Sequence, residues 1–151
     1  HRDEQYKQVF DVCNNHKNIT YHGFQPHNKI VDALGKAHIF AFPSIWVETS
    51  CIAAIEAMSA KCITVTNNLG ALPETCANFA SMYQFTEDGQ KHVNRFASIL
   101  NNTIKLMKQE NNISNQLDVQ KNYFDNFYSW DFRAKEWGLL LEGIIKDESS
   151  S

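Results

Sequence analysis

No stretch of this 151-residue sequence is apolar for long enough to span a bilayer, and no basic-then-apolar leader opens it. Both absences lead to the expectation of a cytoplasmic chain. Basic excess is missing too: 14 Lys and Arg stand against 17 Asp and Glu, for a net charge of -3, which speaks against nucleic acid as a partner. The four cysteines, Cys13, Cys51, Cys62 and Cys76, include no Cys-x-x-Cys pair and lie scattered in apolar contexts, so they read as reduced packing residues. There is no Asp-x-Asp and no His/Cys cluster, so no metal and no cofactor is expected. None of the six histidines forms a nucleophile-base pair; His22 is placed near a strand end, where packing is the plainer role. What remains is a chain of one-domain length with 43% hydrophobic content, enough for a single core.

The apolar positions Tyr6, Val9, Phe10 and Cys13 form a helical stripe that Asp3 could cap. Asn18 to His22 reads as a short strand ended by Gly23, and Pro26 opens a helix carrying Ile30, Val31 and Leu34. Strands follow at 38–42 and 62–66, with a helix between them from Ser50 to Ala60. This β-loop-α-β order predicts parallel neighbours in an α/β sheet, with the loop after the first strand at its ligand-binding edge. A short helix begins at Pro73 and Glu74, and Phe79 to Tyr83 forms another strand. From Val93 the residues Phe96, Ala97, Leu100, Ile104 and Met107 trace a long amphipathic helix, and 113–127 forms a second one with Leu117, Tyr123 and Phe124 inward. Ser129 caps a final helix over 129–146, with Trp137, Leu140, Leu141 and Ile144 along its apolar face, and 148–151 is expected to be a disordered tail. The predicted fold is a Rossmann-like parallel sheet flanked by helices.

Chemistry is concentrated between Ile39 and Thr66. Glu48 stands in the loop after the first strand, and Glu56 follows eight residues later, two turns into the predicted helix. The residues between them are small or apolar, so both carboxylates border a packed surface and need partners there. Backbone N-H groups that open a helix have no intrahelical acceptor and favour an anion. An anion site beside two acids able to accept bonds from hydroxyls matches a nucleotide sugar. Taken alone, two glutamates eight apart are most simply a loop residue near a helix start and an exposed helix position.

Their setting is more specific. Pro43-Ser44, Glu48, seven residues, Glu56-Ala57-Met58, then Val65-Thr66 and Gly70-Ala71-Leu72-Pro73-Glu74 resemble the C-terminal, donor-binding domain of retaining GT-B glycosyltransferases, family 4 (glycosyl transferases group 1). The resemblance runs from about Asn18 to Trp137. It implies transfer of a hexosyl group from a UDP- or GDP-sugar to an acceptor hydroxyl with retention, the nucleotide sugar being a co-substrate. Glu48, the residue expected in the catalytic role, would bind hydroxyls of the transferred sugar and Glu56 the ribose. Thr49, Ser50 and Cys51, at the start of the helix, would help to hold phosphate. Gly23 is most simply where a strand turns, but the resemblance places its loop against the nucleobase, making Phe24 and Gln25 candidate contacts. Gly70 would lie where a side chain would intrude on the donor, whereas Glu74 is most simply a residue favoured by a helix dipole.

The resemblance also implies parts that this sequence does not contain. They are an opening β-α-β segment bearing the basic residues that neutralise the diphosphate, and an N-terminal domain that receives a glycan, lipid or protein acceptor and makes any peripheral membrane contact. Residues 1–147 are accordingly expected to be a partial nucleotide-sugar-binding domain with little turnover of its own. Lys29, Lys36, Arg95 and Arg133 do not replace the basic pair. Lys61 stands where the family has glycine, which implies a positive φ after the helix bearing Glu56. Two other functions remain open: another GT-B reaction such as epimerisation or phosphorolysis, and a non-catalytic interaction module.

Overall fold

The computed structural model describes residues 4, 6–109 and 113–148. Asp3, the expected cap of the first helix, and residues 149–151 of the tail expected at 148–151 lie outside these residues, whereas Glu148 ends the last helix. Two compact units divide the chain, His1–Ile30 and Val31–Ser151.

The first unit holds α1 (Lys7–Asn15), on which the Phe10 ring meets that of Tyr21 at 5.1 Å between centroids. Helix α2 (His27–Leu34) begins here, and the Pro26 carbonyl accepts bonds from the amides of Lys29 and Ile30, as expected of a helix opened by proline. The strand predicted over Asn18 to His22 does not form; that segment is irregular. A strand is stabilised by its ladder, and the sheet among the described residues is built entirely from 39–83, so residues 18–22 gain no ladder bonds.

The second unit contains a three-stranded parallel sheet in the order β1-β2-β3, from β1 (Ile39–Phe42), β2 (Ile63–Asn67) and β3 (Ser81–Tyr83). Ile39 to Phe42 pair in register with Ile63 to Thr66, and Val65 to Asn67 with Ser81 to Tyr83. The apolar and β-branched residues of β1 and β2 suit this pleated surface, and β2, in the middle, is the most buried strand. Crossovers run through α3 (Ile52–Ser59) after β1 and α4 (Leu72–Thr75) after β2, which accounts for the parallel pairing. Three further helices follow: α5 (Gly89–Gln109), α6 (Ile113–Phe127) and α7 (Trp130–Glu148).

Helix α3 packs between the sheet and α6, with two of its three buried residues, Ala54 and Ala57, small enough to allow close approach. Ala54, Ala57 and Met58 are fully buried, and Ala54 and Met58 share a core with Cys51, Leu72, Cys76 and Phe124. All four cysteines are free, and burial together with the Cys51 charge pushes the Cys76 thiol up to about 12. The end of α3 is a Schellman closure: the Lys61 amide bonds the Met58 carbonyl (3.1 Å), the Cys62 amide bonds that of Ala57 (2.8 Å), and Lys61 takes φ +64°. Buried Gln120 of α6 then donates to the Met58 and Cys62 carbonyls, each at 3.0 Å. Helix α5 puts two polar residues, His92 and Thr103, in its most buried positions; Thr103 Oγ1 bonds back to the Ile99 carbonyl and the His92 ring meets the Tyr83 hydroxyl. Ser129 caps α7 as expected, accepting from the Phe132 amide at 3.2 Å, while Trp137, Leu140, Leu141 and Ile144 are all exposed. No helix among the described residues is long and apolar enough to cross a membrane.

Candidate functional site

The strand β1 delivers the chain into a loop whose root is fixed by Ser44. Its hydroxyl is buried, accepts from the Trp46 amide and donates to the Trp46 carbonyl, both at 3.2 Å, a local turn that closes the loop on itself. Ile45, Trp46 and Val47 then project outward, between 69% and 77% exposed. Glu48 follows, half-buried, its own carbonyl accepting from the Ala71 amide at 2.8 Å. The Cys51 thiol is raised by burial, lowered in part by the Ala54 and Ala53 amides, and raised further by the Glu48 charge. Cys51 is the N-cap of α3, with its carbonyl accepting from the Ala54 and Ile55 amides, both at 3.1 Å; Glu48 stands in the loop three residues before it, on the side of the helix end whose dipole favours negative charge.

Helix α3 begins at Ile52, two residues later than the sequence pattern suggested, and its two faces differ sharply. Ala54, Ala57 and Met58 point into the core, whereas Ile52 and Ala53 are exposed and Glu56 is half-buried. Spacings of three and four residues put Ile52, Ala53 and Glu56 on one face. From the Cys51 cap to Glu56 the helix rises about 7.5 Å. Thus one acid lies in the loop three residues before the helix cap and the other, half-buried, five residues beyond it on the same element. Across the sheet edge the loop after β2 supports this arrangement: Gly70, at φ +60°, lies so near Glu48 that a β-carbon on it would stand 2.6 Å from the Glu48 carbonyl oxygen.

The family model for glycosyl transferases group 1 matches residues 1–116, which takes in both acids, the helix between them and the loop of Gly70. The chain belongs to this family. Its chemistry is therefore glycosyl transfer, which needs a sugar donor and an acceptor. Searches of curated proteins and of solved structures returned no significant match.

Other residues of this glycosyltransferase can be placed against that frame. Thr49 and Ser50 are exposed before the helix, but the Cys51 side chain is buried in the core, so only its backbone is available to a ligand. The room that Gly70 leaves is occupied by the Glu48 main chain; its lack of a side chain serves the loop of the acid directly. Gly23, Phe24 and Gln25 belong to the first unit. Gly23 takes φ +61° with nothing near its missing β-carbon, so its conformation alone favours glycine; Phe24 is fully exposed, and Gln25 Nε2 donates to the His22 carbonyl at 2.5 Å.

The sequence pattern gave no hint of Lys121. This lysine of α6 borders a groove of about 480 Å³ together with Glu56, Ser59 and Asp125. Its Nζ donates to the Ser59 carbonyl at 3.1 Å and to Asp125 Oδ2 at 2.6 Å, while the Ser59 hydroxyl donates to Asp125 Oδ1. Arg95 and Arg133 are engaged elsewhere, the first with the Gln84 and Phe85 carbonyls, the second with Glu136 and over the Phe127 ring. Among the described residues no three His, Cys, Asp or Glu side chains gather closely enough to hold a metal.

Proposed function

We propose that this chain is the donor-binding part of a retaining GT-B glycosyltransferase of family 4, that its donor is a UDP- or GDP-sugar, and that it transfers a hexosyl group to an acceptor hydroxyl. The observation that carries the reading is the placement of Glu48 in the loop three residues before the Cys51 cap of α3, held there by the Gly70 loop, and of Glu56 half-buried on the same helix. In this reading the opening amides of α3, with Thr49 and Ser50, hold the donor phosphates. Glu56 accepts bonds from the ribose and Glu48 from the hydroxyls of the transferred sugar. Glu48 orients the sugar and does not act as a base; the departing phosphate takes the proton of the acceptor hydroxyl as the new glycosidic bond forms. The fixed amides at the helix start stabilise the charge that builds on that phosphate. No step in this scheme requires a metal.

A thermal-shift screen against UDP, GDP, ADP and their common sugars tests it. A ligand present at a hundred times its dissociation constant stabilises the fold by about 2.7 kcal/mol, or about 5 to 10 °C in melting midpoint for a chain of this size. One base should give such a shift, with a further shift for its sugar conjugate. A flat response to every nucleotide and nucleotide sugar would refute the proposal.

A further inference from the structure

We propose that Asn67 and Gly70 are positioning residues that together set where Glu48 stands in the loop that leads into α3. The inference rests on the reading of Glu48 as the residue that holds the transferred sugar. Glu48 lies in a loop whose neighbours on its N-terminal side, Ile45 to Val47, are exposed and give it no packing support. Its position must be imposed from outside the loop, and the end of β2 does so at two points.

Asn67, the last residue of β2, is completely buried, an unusual place for a primary amide. It is stabilised there because both ends of the amide are used. Nδ2 donates to the Ser44 carbonyl at 2.6 Å, gripping the root of the Glu48 loop, and Oδ1 accepts from the Leu69 amide at 2.9 Å, holding the start of the next loop. One side chain thus ties the two loops at the sheet edge to a single strand end. Aspartate could not donate to Ser44, and an aliphatic residue would leave a carbonyl and an amide unpaired.

The second point is Gly70. The Ala71 amide bonds the Glu48 carbonyl at 2.8 Å, so the two loops touch through main chain. A β-carbon at Gly70 would come within 2.6 Å of the Glu48 oxygen and 2.8 Å of its nitrogen, and within 3.1 Å of Val47 Cγ1. The first two are backbone atoms, which cannot swing aside as a side chain could, and φ +60° already disfavours any residue with a β-carbon. Alanine there must push the Glu48 main chain away, and a displacement near 1 Å is enough to spoil a positioned contact.

The test separates positioning from general damage by comparing two ligands on the whole chain: the nucleoside diphosphate and its sugar conjugate, as identified by the screen. Calorimetry on wild type, Asn67→Ala, Gly70→Ala, Glu48→Ala and the two double variants with Glu48→Ala gives the required set. Asn67→Ala and Gly70→Ala should each lower affinity for the sugar conjugate by about tenfold while leaving the diphosphate within about twofold. In the Glu48→Ala background neither should have a further effect, because the group they position is gone. Equal weakening of both ligands, or full additivity with Glu48→Ala, would overturn the inference while leaving the functional reading intact. Failure of wild type to bind either ligand would overturn both. Asn67→Ser, which retains a hydroxyl, serves as the second variant should Asn67→Ala fail to fold, and the same outcomes apply to it.

Discussion

Replacing Lys61 with glycine should make this protein more stable, although it deletes an ion pair. Lys61 follows α3 at φ +64°, the left-handed conformation in which a β-carbon crowds the following carbonyl, at a cost of about 1 to 2 kcal/mol. Both closing bonds at this helix end use main-chain atoms only, so glycine keeps them. What glycine loses is the contact of Lys61 with Asp118 on α6. The two side chains are 44% and 51% exposed, and a pair so open to water contributes only about 0.2 to 1 kcal/mol. Taking the middle of each range, the difference favours Lys61→Gly by roughly 0.9 kcal/mol, or about 2 to 4 °C in melting midpoint. Two comparisons separate the contributions. Asp118→Asn alone should lower stability by about 0.2 to 1 kcal/mol, and Lys61→Gly added to it should show the full strain relief of about 1 to 2 kcal/mol. Thermal and urea denaturation of the four proteins would measure this. A midpoint for Lys61→Gly at or below wild type in both backgrounds would show that the turn carries no strain.

Two further perturbations probe how α6 is held to α3. Gln120→Leu removes both bonds to the Met58 and Cys62 carbonyls and leaves the latter short of a buried partner, so urea denaturation should report a loss of about 1 to 3 kcal/mol; wild-type stability would mean those bonds carry little. Partial burial would push the Asp125 carboxyl up, but hydrogen bonds from Lys121 and Ser59 and the lysine charge outweigh it and hold the group below the usual carboxylate range. A depressed folded value contributes stability that is complete above the unfolded value of about 3.9 and is lost as pH falls through the folded one. The contribution is small because the side chain is 39% exposed. Asp125→Asn should therefore be slightly less stable than wild type near pH 6, with the gap closing below about pH 4; a gap independent of pH would show that the ion pair is not its source.

The parallel sheet and its crossovers were readable because the apolar runs of β1 and β2 and the patterned helices are local signals, and periodicity within 10 to 20 residues is enough to place them. Residues 18–22 show the limit. Their composition suits a strand, but composition cannot say whether a neighbour is there to complete the ladder, and none forms. The positions of the two acids, one in the loop after β1 and one on the helix that follows, were legible from the local pattern, and the positive φ of Lys61 from its departure from glycine in a family motif. Buried polar residues were not. Asn67 bonds to a carbonyl 23 residues away, and Gln120 to carbonyls 58 and 62 residues away. Each reads in sequence as an ordinary surface amide, and only the folded chain shows that its position is interior. Lys121 escaped notice for the same reason, since its groove is assembled from α2, α3 and α6 residues far apart in sequence.

The separate roles of Glu48 and Glu56 can be measured together by calorimetry with the nucleoside diphosphate and its sugar conjugate. A charge-assisted hydrogen bond contributes about 1.5 to 3 kcal/mol, so Glu56→Ala should weaken both ligands by roughly ten- to a hundredfold, and to the same extent. Glu48→Ala should weaken the sugar conjugate alone, bringing its affinity down to that of the diphosphate. If Glu56→Ala leaves both affinities unchanged, or Glu48→Ala weakens the two ligands equally, the two acids do not divide one donor between them and the assignment of this helix as the donor site is wrong.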